Sequence, residues 1–109
     1  MAGYAWAMSE PDPRDARLTV SDSGSAVRVT VEGQLDLASA DALRVALEQL
    51  RGHRRRTVLD LRDAAFADGR ALRRLLPVAF APRDERWDLT IDGMSESVRR
   101  VLRLTGLQP

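Results

Sequence analysis

Three aspartates are the residues of this chain whose type and position could carry chemistry. Asp36, Asp60 and Asp68 each lie at or near the end of a predicted strand, which is where α/β sheets place their ligands. A magnesium site with a phosphoryl-accepting aspartate, as in receiver domains, would use such a cluster together with a lysine, but all 17 basic residues are arginine. We therefore favour structural roles: Asp68 caps a helix, Asp36 orders a loop and Asp60 faces a polar sheet surface.

The other residues that enzymes commonly use are scarce. His53 is the only histidine and lies in an arginine run, with nothing nearby that resembles a serine nucleophile. The chain has no cysteine, which excludes thiolate nucleophiles and thiolate metal ligands. It also lacks the glycine-rich phosphate loops GxxxxGK[ST] and GxGxxG. The sequence predicts a protein that is not an enzyme and that needs neither a cofactor nor a metal.

Length and net charge further limit the number of domains and the kinds of partner. With 109 residues the chain has room for one domain with one core. A formal net charge of +1 gives no strong attraction to nucleic acid or membranes, and the apolar runs are too short to cross a bilayer. The basic run His53–Arg56 could grip phosphate, although such a run is more typical of a solvated loop. We expect a cytoplasmic protein without membrane insertion, for which nucleic-acid binding is unlikely.

Two of these aspartates, Asp60 and Asp68, lie in the stretch Thr57–Leu76, around which the chain is organised. Branched apolar residues predict a buried strand that ends at Arg62–Asp63. Asp68 then stands at the position of a helix cap, and Gly69 and Arg70 open the helix. Apolar residues follow at three- and four-residue spacing and define the buried face of this helix: Leu72, Leu75, Leu76, Ala79 and Phe80.

The remaining segments supply three further strands and two further helices. Alternating apolar residues between Leu18 and Val31 predict a hairpin, and Trp87, Leu89 and Ile91 predict the last strand. Ser39 is the predicted N-cap of a helix over Ala40–Arg51, and Ser95 that of the final helix. The order ββαβαβα predicts an α/β domain with a mixed four-stranded sheet and helices mainly on one face. Residues 1–16 are expected to form a flexible arm, and residues 17–109 a single domain.

Three runs, taken together, resemble a known family. They are Val31–Leu37, the stretch from Leu59–Leu61 through Phe66–Asp68 to Leu72, and Val98–Leu107. Their order and spacing are similar to those of the STAS domains of bacterial anti-sigma-factor antagonists, and the likeness covers residues 17–107. The resemblance implies a STAS fold and a non-catalytic protein-interaction module. It also implies a protein partner, an anti-sigma factor of serine-kinase fold.

The resemblance further implies which residues meet that partner. In the family, the start of the second helix and the loop before it contact the kinase-fold anti-sigma factor. Carried onto this sequence, the partner-binding residues are Asp36, Phe66, Asp68, Gly69, Arg70, Arg73 and Arg74.

One position departs from the family pattern. The aspartate that matches Asp68 is usually followed there by Ser-Ser-Gly-Leu, and the partner kinase phosphorylates the first serine. This chain instead has Gly69-Arg70-Ala71-Leu72, and no Ser, Thr or Tyr lies between Thr57 and Thr90. Gly69 is therefore interpreted as a degenerate phosphoacceptor position, and the module as one without phosphorylation control.

Two other functions stay open at this point. The chain could be a STAS subunit or scaffold of another bacterial complex, such as a transport or stress assembly. It could also bind nucleotides or nucleic acid through His53–Arg56 and outward-facing arginines, in which case binding would depend strongly on salt.

Overall fold

A four-stranded sheet with helices against it forms the body of the protein. The computed structural model describes residues 15–80 and 86–104, and the strands lie in the order β1-β2-β3-β4. β1 is antiparallel to β2, whereas β2, β3 and β4 are mutually parallel. The elements in chain order are β1 Arg17–Asp22, β2 Val27–Leu35, α1 Leu37–Gly52, β3 Thr57–Phe66, α2 Gly69–Leu75, a π-helical segment Leu76–Phe80, β4 Leu89–Met94 and α3 Glu96–Leu104. The predicted element order and mixed sheet are confirmed.

One face of the sheet forms the core with the helices. Alternate residues of β2 and β3 are buried, because successive side chains of a strand point to opposite faces. Leu72 and Leu75 of α2 are buried, as their spacing predicts. The fully buried large side chains are contributed by both layers: Leu35, Leu43, Leu47, Leu59, Leu61, Leu72, Leu75, Leu102, Val27, Val29, Val31 and Val98.

The opposite face of the sheet carries charged residues. Arg28 of β2 donates hydrogen bonds to Asp60 of β3 and Asp92 of β4, and Arg62 also reaches Asp92 at 3.1 Å. Gly93 has φ +83°, and a Cβ there would lie 2.7 Å from the Arg62 side chain. The predicted placement of Asp60 on a polar sheet surface is confirmed, and its carboxylate is shared between two arginines.

Three predicted boundaries were wrong. The last strand begins at Leu89 and does not include Trp87. β3 continues past Asp63 to Phe66, because pairing with β2 resumes after a register shift between Thr30 and Glu32. The polar residues that suggested an earlier end are exposed: Arg62 lies in this shift, and Asp63 already pairs with Glu32. The first helix starts at Leu37, and its N-cap is Asp36 rather than Ser39.

Pro77 lies where the second helix changes geometry. The α-helical part ends at Leu75, and the chain continues as a π-helical segment to Phe80. Proline has no N–H to donate and clashes with the preceding turn of an α-helix, so a wider turn accommodates it. Pro77 thus marks a change of helix type that keeps Val78 and Ala79 buried.

Trp87 lies just before β4 and links the start of that strand to the connection before β3. The side chain is 5% exposed, and its indole N–H donates to the carbonyl of Arg55 at 2.9 Å. Arg55 lies in the connection between α1 and β3, where Arg54 takes a positive φ of 53°. Ser95 accepts from the N–H of Val98 at 3.1 Å, so its predicted role as the cap of α3 is confirmed.

The chain enters the sheet beside the end of β2. Asp15 forms a β-bridge with Gln34, and Ala16 is buried. Gly33 has φ +98°, and a Cβ on it would lie 2.6 Å from the Asp15 carbonyl oxygen. Residues 15 and 16 therefore pack with the domain. The rest of the predicted arm and residues 81–85 and 105–109 of the predicted domain lie outside the described residues.

Candidate functional site

Two neighbouring strands end side by side, and each leads directly into a helix. Leu35 of β2 is opposite Phe66 of β3, and the N–H of Ala67 donates to the Leu35 carbonyl at 2.8 Å. The N-caps of α1 and α2, Asp36 and Asp68, follow these strand ends. The structure thus brings together the regions of Asp36, Phe66 and Asp68 that the sequence separates by about thirty residues.

At the start of α1, Asp36 and Ser39 form a reciprocal capping box. The Ser39 N–H donates to Asp36 Oδ1 at 2.8 Å, and the Asp36 N–H donates to Ser39 Oγ at 2.9 Å. Two orphan donors of the helix end are satisfied in this way. The hydrogen bond from the Ser39 backbone, followed by that from its hydroxyl, holds the pKa of Asp36 below its ordinary value. The prediction that Asp36 orders a loop is refined: it orders a helix start.

At the start of α2, Asp68 caps the helix, as predicted. Its Oδ1 accepts from the N–H groups of Arg70 at 2.9 Å and Ala71 at 3.2 Å, and the Arg70 guanidinium reaches Oδ2 at 3.1 Å. Hydrogen bonding from the Arg70 side chain, and then from the Ala71 backbone, lowers the pKa of Asp68. The carboxylate therefore stays ionised and already has hydrogen-bond partners at this surface.

Gly69 occupies the first position of α2 without a steric need for glycine. A Cβ built at this position meets no atom within 4 Å, and its φ does not lie in the left-handed range. Any small side chain therefore fits here without moving the backbone. The residue is exposed beside the Asp68 cap.

The arginines of α2 point outward, as their spacing predicts. Arg70, Arg73 and Arg74 are all exposed, and the side chains of Arg70 and Arg74 keep 69% and 50% of their surface. Arg74 approaches Asp41 of α1 at 3.9 Å. The same Asp41 binds Arg44, at 2.8 Å. The predicted site therefore borders a charged surface of α1.

Sequence reasoning did not single out these α1 residues. Arg44 also reaches Glu48 at 3.0 Å, four residues on. The spacing of three and four residues between Asp41, Arg44 and Glu48 is the signal that could have found the group. Its link to Arg74 depends on how the two helices pack.

Phe66 contributes to the core more than to the surface. It is the last residue of β3 and is 9% exposed. Its ring thus leaves little area for a partner. Phe66 supports the turn that presents Asp68, and its assignment as a partner contact stays a prediction.

The structure does not favour the alternative sites, a metal site and a phosphate site at the basic run His53–Arg56. Within the described ranges 15–80 and 86–104, no group of three His, Cys, Asp or Glu residues is arranged to hold a metal ion. In the basic run, Arg55 binds Asp22 at 2.8 Å and Arg56 binds Asp88 at 2.8 Å. These arginines are already paired with carboxylates.

Comparison with known proteins settles the family. A family model described as "Mlab, STAS domain" matches residues 18–109, which is most of the chain. This chain belongs to the STAS domain family. A STAS-domain containing protein of Pseudomonas aeruginosa is 27% identical to it over 88 residues, covering 81% of this chain and 87% of the relative.

A solved structure has the same fold as this STAS domain. The crystal structure of an anti-sigma factor antagonist from Mycobacterium paratuberculosis superposes with a TM-score of 0.67 at 22% identity. The match covers 87% of this chain and 81% of the other. The predicted antagonist-like fold is confirmed. Among the described helices of this STAS domain, none combines the length and the apolar character that a membrane span requires.

Proposed function

We propose that this STAS domain is a non-catalytic protein-interaction module that works as an anti-sigma-factor antagonist without phosphorylation control. Its partner in this proposal is an anti-sigma factor of serine-kinase fold, and the contact is made by the start of α2 and the loop before it. The observation that carries the proposal is the exposed, capped start of α2, where Gly69 is followed by three outward-facing arginines. The predicted cytoplasmic location and the absence of catalysis stay predictions.

The charges at this surface suit a partner that presents carboxylates. Arginine pairs with carboxylates through two parallel hydrogen bonds, which gives an interface both strength and orientation. Arg70 is engaged by Asp68 in the free domain, and Arg73 has no ion pair among the described residues. A long cation at Arg70, where the family has a small residue, restricts the partners that fit.

The missing hydroxyl removes the regulatory switch in this proposal. A phosphoryl group at the first position of α2 would add about two negative charges to the docking surface, and the family uses that change to release the partner. Gly69 cannot form the ester. The hydroxyl of Ser39, at the neighbouring helix start, lies 2.8 Å from the Asp36 carboxylate, which disfavours a further negative charge there.

Binding to a candidate anti-sigma factor tests the docking surface. We expect Arg70→Ala and Arg73→Ala to weaken binding, each by roughly tenfold for loss of about 1.4 kcal/mol. Arg100→Ala is the matched control, because Arg100 is an exposed arginine on α3. Isothermal titration calorimetry would measure the affinities. Equal affinities for all three variants would place the contact elsewhere.

Mass spectrometry after incubation with an anti-sigma kinase and ATP tests the lost switch. We expect no phosphate on the wild type and phosphate only on the new hydroxyl of Gly69→Ser, which the open space around Gly69 accommodates. A Gly69→Ser, Arg70→Ser double variant covers the case in which Arg70 blocks kinase docking. High phosphate occupancy on any serine or threonine of the wild type would contradict the proposal.

A second function is a STAS scaffold or subunit of another bacterial complex, such as a transport or stress assembly. The sequence observation that favours it is the lack of any Ser, Thr or Tyr between Thr57 and Thr90, which fits a module that has left the partner-switching circuit. A pull-down from the native host separates the two functions. Recovery of an anti-sigma factor supports the first, and recovery of a transporter or stress complex supports the second.

A further inference from the structure

The two edges of the sheet differ in how well they could pair with another strand. β4, at one edge, is irregular: its pairing with β3 shifts register between Leu59 and Leu61, and Gly93 has a positive φ. β1, at the other edge, pairs with β2 over six consecutive residues without a shift. Irregular edges protect sheets from edge-to-edge pairing, whereas a regular edge is a template for an added strand.

The side chains of β1 also leave apolar surface at this edge. Leu18 and Val20 lie opposite Val31 and Val29, which are buried under the helices, so all four point to the helix-covered face. Leu18 packs partly against the core, but Val20 is 53% exposed. The middle of the strand, residues 18–21, contains no charge and no proline or glycine. The middle of β1 therefore lacks the charges, prolines and bulges that usually block an edge, and its charged residues, Arg17 and Asp22, are at the two ends.

We propose that β1 pairs antiparallel with β1 of a second copy of this chain, giving a continuous eight-stranded sheet across a two-fold axis. The sequence of β1 is self-complementary in one register. With Thr19 opposite Thr19 of the second copy, Leu18 lies opposite Val20 and Val20 opposite Leu18, so two apolar cross-strand pairs form on the helix-covered face.

The neighbouring register is less favourable. If Val20 lay opposite Val20 of the second copy, Leu18 would lie opposite Asp22, whose carboxylate is bound to Arg55 at 2.8 Å. Registers displaced by one residue would place apolar side chains opposite polar ones of the other face. A register centred on Leu18 keeps the alternation but overlaps only residues 17–19 of β1, so the pairing centred on Thr19 is the most favourable.

A contact of one short strand is small, so the dimer is weak. Stable interfaces bury about 1,200 Å² or more in total, and contacts below that size belong to transient complexes. Sedimentation equilibrium of the full chain should therefore show a mass that rises from monomer toward dimer as protein concentration increases into the range of about 1 mM. A wild type that stays monomeric throughout would overturn the proposal and indicate that another segment covers the edge.

A charge at the edge should abolish the pairing. Val20→Lys places two lysines at diagonal positions across the two-fold axis, and we expect association to fall at least about tenfold. Val45→Lys is the matched control, because Val45 is 41% exposed on α1, two residues from both of the buried Leu43 and Leu47 and so on the outer side of the helix. A dimer that survives Val20→Lys, or that Val45→Lys weakens equally, would place the contact on another surface.

A cysteine on the two-fold axis gives a second, independent test. The chain has no cysteine, so Thr19→Cys introduces a single thiol that faces its own copy. Opposed Cα atoms in antiparallel pairs lie about 4.5–5.5 Å apart, within the range that a disulfide bridges. On mild oxidation, we expect Thr19→Cys to form covalent dimers at least about tenfold faster than Val45→Cys. Equal rates would contradict the register. Thermal melts of all variants verify that the fold is intact.

Discussion

The starts of α1 and α2 use the same type of cap but differ in what surrounds it. Asp36 and Ser39 close the start of α1 reciprocally. Asp68 caps α2 with no such partner, and its second oxygen binds the exposed side chain of Arg70. α1 then runs for 16 residues, whereas α2 has only seven before the π-helical segment. Capping is thus a shared structural need, and the exposed arginine bound to the cap is particular to α2.

The glycines near the two helix starts also differ in whether the backbone requires them. Gly33, which precedes α1, is required by a positive φ and by the close approach of the Asp15 backbone. Gly69, which opens α2, meets neither condition. The backbone therefore dictates the residue near one helix start and leaves the other free to vary.

The largest expected effect tests whether α2 is as much a core helix as α1. Leu72→Ala and Leu75→Ala should each lower the free energy of unfolding by about 2–5 kcal/mol, because a buried side chain is lost and a cavity is left. Leu43→Ala on α1 should fall in the same range, since Leu43 is also fully buried. Urea denaturation would measure all three. Wild-type stability of the two α2 variants would show that this helix does not carry the core.

The second effect concerns Gly33. Gly33→Ala should cost about 1–3 kcal/mol, because alanine is strained at φ +98° and its Cβ would collide with a backbone oxygen. Thermal unfolding would detect the loss, with Gly24→Ala as a control for positive φ alone, since Gly24 has φ +93° and open space around it. A Gly33→Ala variant no less stable than Gly24→Ala would refute the close approach.

The third effect is the difference between the two caps. Asp36→Ala should lower the free energy of unfolding by about 1 kcal/mol, the usual cost of losing an N-cap. Asp68→Ala should lower the free energy of unfolding less, because Asp68 has no reciprocal capping-box partner. Chemical denaturation of both variants would compare them. A larger loss for Asp68→Ala would reverse the comparison.

The fourth effect is the pH dependence of the α1 cap. The pKa of Asp36 is lower in the folded state than in the unfolded chain, so its contribution is present above the unfolded value of about 3.9 and is lost as pH falls through the folded pKa. The stability difference between wild type and Asp36→Asn should therefore be constant near neutral pH and shrink below about pH 4. A difference that persists to the lowest pH would contradict a charge-dependent cap.

The smallest effect concerns Gly69. Gly69→Ala should leave the fold unchanged and raise the free energy of unfolding by about 0.5 kcal/mol, because alanine reduces the freedom of the unfolded chain. Differential scanning calorimetry with Gly33→Ala as the opposite case would measure it. A marked loss of stability would mean that the start of α2 needs glycine for its backbone.

Much of this fold follows from local patterns in the sequence. The spacing of Leu72 and Leu75 and the capping chemistry of Asp68 act over one helical turn, so they were predicted correctly. Asp36 and Ser39 are both good capping residues, three positions apart, and the sequence does not rank them. In the structure both are used, one as the cap and one as its reciprocal partner.

Features that depend on distant pairing were harder to predict. The polar pair Arg62–Asp63 suggested a strand end, but β3 continues because β2 lies beside it. Likewise, Asp36 and Phe66 lie close together only because β2 and β3 are neighbours in the sheet. The partner that we propose for the exposed arginines could not be named, because its surface is not encoded in this sequence.

The buried position of Trp87 gives the protein an optical probe at the opposite end of β3 from the start of α2. Its indole is buried and is hydrogen-bonded to the connection between α1 and β3, so release of that connection should quench or red-shift its emission. The chain has only one other tryptophan, Trp6. In a Trp6→Phe variant, tryptophan emission would come from Trp87 alone and would report on its contact with the connection between α1 and β3. A ligand at the start of α2 would leave the spectrum unchanged unless its binding moves that connection.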